Sequence, residues 1–180
     1  LREKGEYGID EIKRISQFID KNSTVLIVGA HIGSLAIPIA KTCSKVVAIE
    51  ANPNNFKLLQ TNVKLNNTSN ITLHNVAASN KQEIIKFQLN TVNSGGSKRV
   101  PVTNHYMYTY DNPEVIDVEA YALDTYLSKE DFDLVFIDIE GSEYFAMQGM
   151  ADILGKTKSL IVEFLPHHIT NVAGVKLADF

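Results

Sequence analysis

Short apolar runs alternate along this chain with segments whose apolar residues recur every three or four positions. That alternation predicts an α/β fold: a mostly parallel sheet with helices on both faces. Ile9, Ile12, Ile15 and Ile19 fall at helical spacing and predict an amphipathic lead-in helix. Residues 24–28, rich in β-branched side chains and ending at Gly29, read as a buried strand. A helix is expected over about 34–43, with Pro38 near its first turn. A second strand covers 45–50, and Asn52-Pro53 then reads as an N-cap followed by proline at the first helical position. The helix it opens carries Phe56, Leu59 and Val63 on one face.

Further strands are expected over 71–77 and 83–89. Residues 91–114 are polar, tyrosine-rich and without sustained period, and read as a long loop. Within it Tyr106, Tyr108 and Tyr110 alternate, as on one face of an edge strand or in an aromatic wall for a sugar ring. The regular pattern returns with a strand over 133–138, a helix over 142–154 with Ala146, Met147, Met150 and Leu154 inward, and a strand over 159–164. No repeat or linker interrupts the chain. It is read as one domain over 1–180: a lead-in over 1–22, a core over 23–165, and residues 166–180 opening a C-terminal part that stops short.

Composition narrows the function classes. Hydrophobic residues make up 44% and charged ones 21% of 180 residues, enough for one buried core. A net charge of −4 gives no long-range attraction to a phosphate backbone or an anionic membrane, so neither nucleic acid nor membrane is an expected partner. Cys43 is the single cysteine; it excludes an internal disulfide and fits a buried thiol. No apolar run approaches the roughly 20 residues of a membrane span, and the charged start does not resemble a signal peptide, which suits a cytoplasmic protein. Leu1 in place of Met marks a processed or trimmed chain.

Three features follow predicted parallel strands, where an open α/β sheet binds ligands. The first is Gly29-Ala30-His31-Ile32-Gly33. Gly29 permits a turn closed to other residues and lets a ligand touch the backbone, and Gly33 lets the helix pack closely. The dinucleotide fingerprint would need glycine where His31 and Ser34 stand, which disfavours a nucleotide-dependent oxidoreductase. The second is Glu50, which stands 17 residues after Gly33. A carboxylate there can accept both ribose hydroxyls of an adenosine, although alone it equally fits a solvated strand-end acid. The third is Ile137-Asp138-Ile139-Glu140-Gly141-Ser142-Glu143. If the strand persists, Asp138 and Glu140 share one side of the crevice; the plainer account leaves both in solvent and makes Ser142 or Glu143 a helix cap.

Taken in order, these stretches resemble the FkbM-type methyltransferase family. The similarity runs from Gly29-Ala30-His31-Ile32-Gly33 through Ile49-Glu50-Ala51-Asn52-Pro53-Asn54-Asn55-Phe56 and Asn62-Val63-Lys64-Leu65-Asn66. It continues through Asn75-Val76-Ala77, Ser94-Gly95-Gly96-Ser97, Ala122-Leu123-Asp124 and the Asp138 motif. The resemblance implies a class I methyltransferase fold with a Rossmann-like sheet and S-adenosylmethionine as cofactor. It also implies transfer to a hydroxyl of a sugar or secondary metabolite, so a small-molecule or glycan acceptor, with the oligomeric state left open. The cofactor would lie against Gly29, Ala30, His31, Gly33, Glu50, Ala51, Asn75, Ala77 and Asp138. Two positions depart from the family pattern: an acid is expected where Ile27 stands and asparagine where His31 stands. Ile27 removes a negative partner for the cofactor's amino group. The class also closes its sheet with elements for which residues up to Phe180 leave no room.

Methyl transfer needs alignment and removal of the acceptor's proton. Asp138 is the leading candidate base, with Glu140 and His31 behind it. His31 fits a hydrogen-bonding wall better than a base, Asn75 and Ala77 equally fit a plain strand end, and 94–97 either a backbone nest or a flexible turn. His105, His167 and His168 show no metal-ligand spacing, so no metal is expected of them; a metal site near Asp138 stays open. The rival reading is a cofactor-binding or scaffold domain that retains the sheet without catalysis.

Overall fold

The structure, a computed structural model, describes residues 8–180. Its strands in chain order are β1 (Thr24–Val28), β2 (Lys45–Ile49), β3 (Ile71–His74), β4 (Ala77–Ala78), β5 (Glu83–Leu89), β6 (Lys98–Arg99), β7 (Glu114–Tyr121), β8 (Leu134–Ile137) and β9 (Ser159–Val162). The helices are α1 (Ile9–Ile15), α2 (Ala36–Ala40), α3 (Pro53–Leu65), α4 (Leu123–Tyr126), α5 (Glu143–Gln148), α6 (Ala151–Lys156) and α7 (Pro166–Asn171). The main sheet is parallel throughout, in the order β3-β2-β1-β8-β9. The chain leaves β1 towards β2 on one side, and β8 returns on the other. The switch point, where such sheets bind ligands, therefore lies beyond the carboxyl ends of β1 and β8.

Successive strand residues point to opposite faces, and both faces are packed. Val25 and Ile27 join Ile15, Ile39 and Leu59 in one core, while Leu26 and Val28 join Leu123, Ala146 and Met150 in the other. Burying each of these side chains except the smaller Ala146 contributes about 1.5–3 kcal/mol, and the continuously apolar strands are what a two-sided sheet requires. The predicted α/β class, with helices on both faces, is the observed one.

Several boundaries differ for local reasons. The lead-in helix stops at Ile15, and Ile19 lies beyond it, packed against the core from a turn; the start of that lead-in falls outside the described residues. Helix α2 starts later than expected because Pro38 has no N–H to donate to Ser34, and it closes early as the N–H groups of Lys41 and Thr42 donate three residues back to Pro38 and Ile39, which leaves Cys43 buried just past it. The strand expected over 71–77 breaks at Asn75, whose Nδ2 donates to the carbonyls of Glu50 (2.8 Å) and Ala51 (3.3 Å). The strands expected over 45–50, 133–138 and 159–164 are each trimmed to β2, β8 and β9.

Residues 77–121 build what the sequence reading did not anticipate: a second sheet, in the order β4-β7-β5-β6. Strand β7 pairs antiparallel with β5 along its length, from Glu83 opposite Ala120 to Leu89 opposite Glu114. The supposed loop over 91–114 contains β6 and two short 3₁₀ turns. Tyr106–Tyr108 is one of those turns, not an alternating strand. Tyr108 is buried, while Tyr106 and Tyr110 are exposed with ring centroids 6.4 Å apart.

The single helix expected over 142–154 is two, α5 and α6. A Cβ on Gly149 would lie 1.9 Å from the Ser79 carbonyl oxygen, so the chain bends there to clear the approach to the second sheet. Asp124 then caps α6, accepting from the N–H groups of Asp152 (3.0 Å) and Ile153 (2.9 Å). The inward set Ala146, Met147, Met150 and Leu154 does pack on the core.

Candidate functional site

One cavity of about 490 Å³ opens beyond β1, β2, β8 and β9, within the range of small-molecule sites. The second sheet closes its far side with Ile85 and Phe87, and the 3₁₀ turn Ser94–Gly96 edges it.

The loop after β1 is shaped by two backbone demands. Gly29 has φ 95°, and a Cβ there would lie 1.8 Å from the Asp138 carbonyl oxygen. Glycine is thus fixed by the left-handed conformation and by the approach of the segment after β8. Its N–H and that of Ala30 both donate to the Ile49 carbonyl at 2.9 Å. His31 is also left-handed, at φ 50°, a conformation that costs a non-glycine residue roughly 1–2 kcal/mol. It is held at both ends: the backbone N–H donates to Glu50 Oε2 (2.7 Å), and Nε2 lies 2.9 Å from Ser94 Oγ. Burial lowers the basicity of its ring. Gly33, φ 91°, does not line the cavity; a Cβ there would meet Leu59 Cδ1 at 2.8 Å, so its place is under α3.

Glu50 is 7% exposed and faces the cavity from the end of β2. Its two oxygens accept from the backbone N–H groups of His31 and of Asn52 (2.8 Å), which fix the carboxylate in orientation at the cavity wall. Burial, only partly offset by those hydrogen bonds and one from Asn55, pushes this carboxyl up to about 7. Asn52, the side-chain cap of α3, donates through Nδ2 to Ser97 Oγ (3.1 Å), and Asn55 donates to the Ser94 carbonyl (3.0 Å). The 94–97 segment is therefore a pinned turn. Ala51 and Ala77 line the cavity. Asn75 does not: it is exposed and holds the strand end together.

Asp138 and Glu140 both face the cavity, and Glu163, at the end of β9, joins them. One carboxylate oxygen from each lies within 4.8 Å of the others. Among the described residues this is the one grouping with the spacing to hold a metal ion. Burial first, then the charge of Glu163, push the Asp138 carboxyl up to about 7. Burial raises Glu163 as well. Glu140 behaves oppositely: burial is outweighed by His168 and Lys98, which hold it below the usual range. Lys98 Nζ lies 3.3 Å and His168 Nδ1 2.9 Å from Glu140 Oε2, the latter at an angle that does not make a hydrogen bond. Glu140 is left-handed, φ 57°, and Gly141 follows at φ 105°. Glu143 holds this double turn, accepting from the N–H groups of Ile139 (3.0 Å) and Gly141 (2.9 Å). Neither Ser142 nor Glu143 caps α5 through its side chain, and Asp138 and Glu140 are turned to the crevice rather than to open solvent.

The sequence reading missed Glu163, Lys98 and His168. Glu163 carried a usable signal, since it is an acid ending an apolar parallel strand like Glu50 and Asp138. Lys98 and His168 carried none, because their approach depends on the second sheet and on α7. Ile27 is fully buried among Ala36, Ile39 and Leu59, so an acid at that position would not face the cavity.

Glycine turn, strand-end acid and switch-point crevice together define a Rossmann-like domain of the methyltransferase type. Residues 28–174 match the methyltransferase FkbM domain, and the chain belongs to that family. Similar solved structures include a methyltransferase FkbM from Methylobacillus flagellatus KT, 18% identical, with a TM-score of 0.58 over 85% of this chain and 35% of that one. A precorrin 8W decarboxylase from Methanobacterium thermoautotrophicum is 16% identical, with a TM-score of 0.54 over 89% of this chain and 66% of that one. An rRNA methylase from Streptococcus thermophilus is 12% identical, with a TM-score of 0.52 over 88% of this chain and 72% of that one. At these identities the likeness is one of fold. This chain spans about a third of the length of the Methylobacillus protein. A search of curated proteins gives no significant match.

Proposed function

We propose that this domain binds S-adenosylmethionine and directs its methyl group to a hydroxyl of a small-molecule or glycan acceptor. The observation that carries the reading is the Glu50 carboxylate, buried at the end of β2, fixed by two backbone N–H groups and facing the cavity. A carboxylate so held is suited to accept from ribose hydroxyls. The surroundings fit the rest of the cofactor: Ala51, Val76, Ala77, Ile85 and Phe87 give an apolar slot for a purine, and the glycine turn brings bare backbone to the cavity.

When bound, the cofactor supplies an activated methyl group on a sulfonium. The chain's own task is to align the acceptor and take its proton. Asp138, raised to about 7, is suited to that transfer near neutral pH. Glu140, kept ionised by Lys98 and His168, is suited to hold an acceptor hydroxyl by accepting from it. His31, tied to Ser94 and to Glu50, has the role of a wall rather than of a base. The test uses labelled methyl donor and a panel of sugars and hydroxylated metabolites. Once an acceptor is found, Asp138→Asn should lower turnover at saturating cofactor roughly 10²–10⁴-fold with near-parental affinity for S-adenosylhomocysteine. Equal turnover in parent and variant would remove Asp138 from the mechanism. Cofactor binding with no transfer to any acceptor would favour a binding or scaffold domain.

A further inference from the structure

The crevice carries more negative charge than its own cations balance, and the excess is at one end. Glu50 ends β2, Asp138 ends β8 and Glu163 ends β9 in the sheet order β2-β1-β8-β9. Adjacent strands lie roughly 5 Å apart, so Asp138 stands about 10 Å along the crevice from Glu50, with Glu163 one strand further. The charges facing Asp138 and Glu163 come from several elements. Glu140, on the same turn as Asp138, is already matched by Lys98 of β6 and approached by His168 of α7. Glu143 of α5 is engaged by the N–H groups of the turn. Glu11 of α1 lines the cavity and adds a further negative charge to it, partly met by Arg14 at 3.6 Å. Asp138 and Glu163 are left facing the cavity with no cation of their own.

Resting on the cofactor reading above, we propose that Asp138 and Glu163 form a paired-carboxylate end that recognises the positive charge of the sulfonium cofactor and releases its neutral thioether product. With the ribose at Glu50, the sulfur is the next part of the molecule along the crevice, over the ends of β1 and β8. The charges balance through the reaction. The sulfur–methyl bond breaks with its electron pair staying on sulfur, and a bond forms from the acceptor oxygen to the methyl carbon. The hydroxyl proton passes to the carboxylate pair. Cation and carboxylate are lost in the same turnover, so the attraction that held the cofactor is gone from the product complex.

Binding alone tests this, with no acceptor needed. S-adenosylmethionine, S-adenosylhomocysteine and sinefungin, whose ammonium replaces the sulfonium, are titrated calorimetrically into the parent and into Glu163→Gln. The parent should bind both cationic compounds roughly tenfold or more tighter than S-adenosylhomocysteine. Glu163→Gln should narrow that ratio to within about threefold without weakening S-adenosylhomocysteine. Asp138→Asn, checked for folding by circular dichroism, should narrow it likewise. Equal or tighter binding of S-adenosylhomocysteine by the parent, or an unchanged ratio in both folded variants, would overturn the inference alone. Failure of a folded parent to bind any of the three would overturn the cofactor reading and this inference with it.

Discussion

Glu50 is where charge, burial and ligand recognition meet in one side chain. Its folded value of about 7 lies above the ordinary carboxylate value of 4.5, so between the two the folded state holds a proton that the unfolded chain has released. By linkage, the stability this gives is fully present below the unfolded value and is lost as pH rises through about 7. The unliganded domain should therefore lose up to roughly 3 kcal/mol through this group between about pH 5 and about pH 8. Urea unfolding at both pH values should show that Glu50→Ala loses less stability over the interval than the parent does. An equal loss in both would mean that Glu50 titrates as a solvated acid. Gly29, Glu50 and Asp138 were legible from the chain because each closes an apolar strand, and a strand end in such a sheet has a known place. Gly33 and Asn75 belonged to the same motifs but serve packing and strand-end hydrogen bonds. A motif fixes the order of residues, not which of them the backbone turns inward.

Among the elements, the main-sheet strands were readable because burial on both faces makes each one a continuous apolar run. The second sheet was not, though β7 carries a period-two signal: Val118 and Ala120 are buried while Asp117 and Glu119 are exposed. It lies directly after an irregular, tyrosine-rich stretch, and its partner β5 is 25 or more residues away, so no local turn marks the pairing. The break between α5 and α6 is likewise a tertiary demand, made by the Ser79 carbonyl against Gly149. Gly149→Ala should destabilise the domain by about 1–3 kcal/mol, because the contact is with backbone and a neighbour can clear it only by moving a strand end. A urea midpoint equal to the parent's would show that the joint is loose and that glycine is not required there.

At the scale of the whole molecule, the two sheets close on one crevice and are tied across it. Asn52 reaches Ser97, Asn55 and His31 reach Ser94, and Lys98 reaches Glu140, so the wall opposite the glycine turn is braced from both ends. Such bracing suits a ligand gripped between the sheets. It also explains why the fold and the cofactor end of the site were legible while the catalytic end was not: the former follows strand order, and the latter requires the second sheet to be folded over it. Among the described residues no helix is long and apolar enough to cross a membrane. The central claim is that this crevice holds S-adenosylmethionine by its ribose at Glu50, and calorimetric titration tests it most directly. The parent should bind S-adenosylmethionine one-to-one and NAD far more weakly. In folded Glu50→Ala, S-adenosylmethionine affinity should fall roughly ten- to 150-fold, the loss of about 1.5–3 kcal/mol of charge-assisted hydrogen bonding. Unchanged affinity in the folded variant, or binding of NAD as tight as that of S-adenosylmethionine, would contradict it.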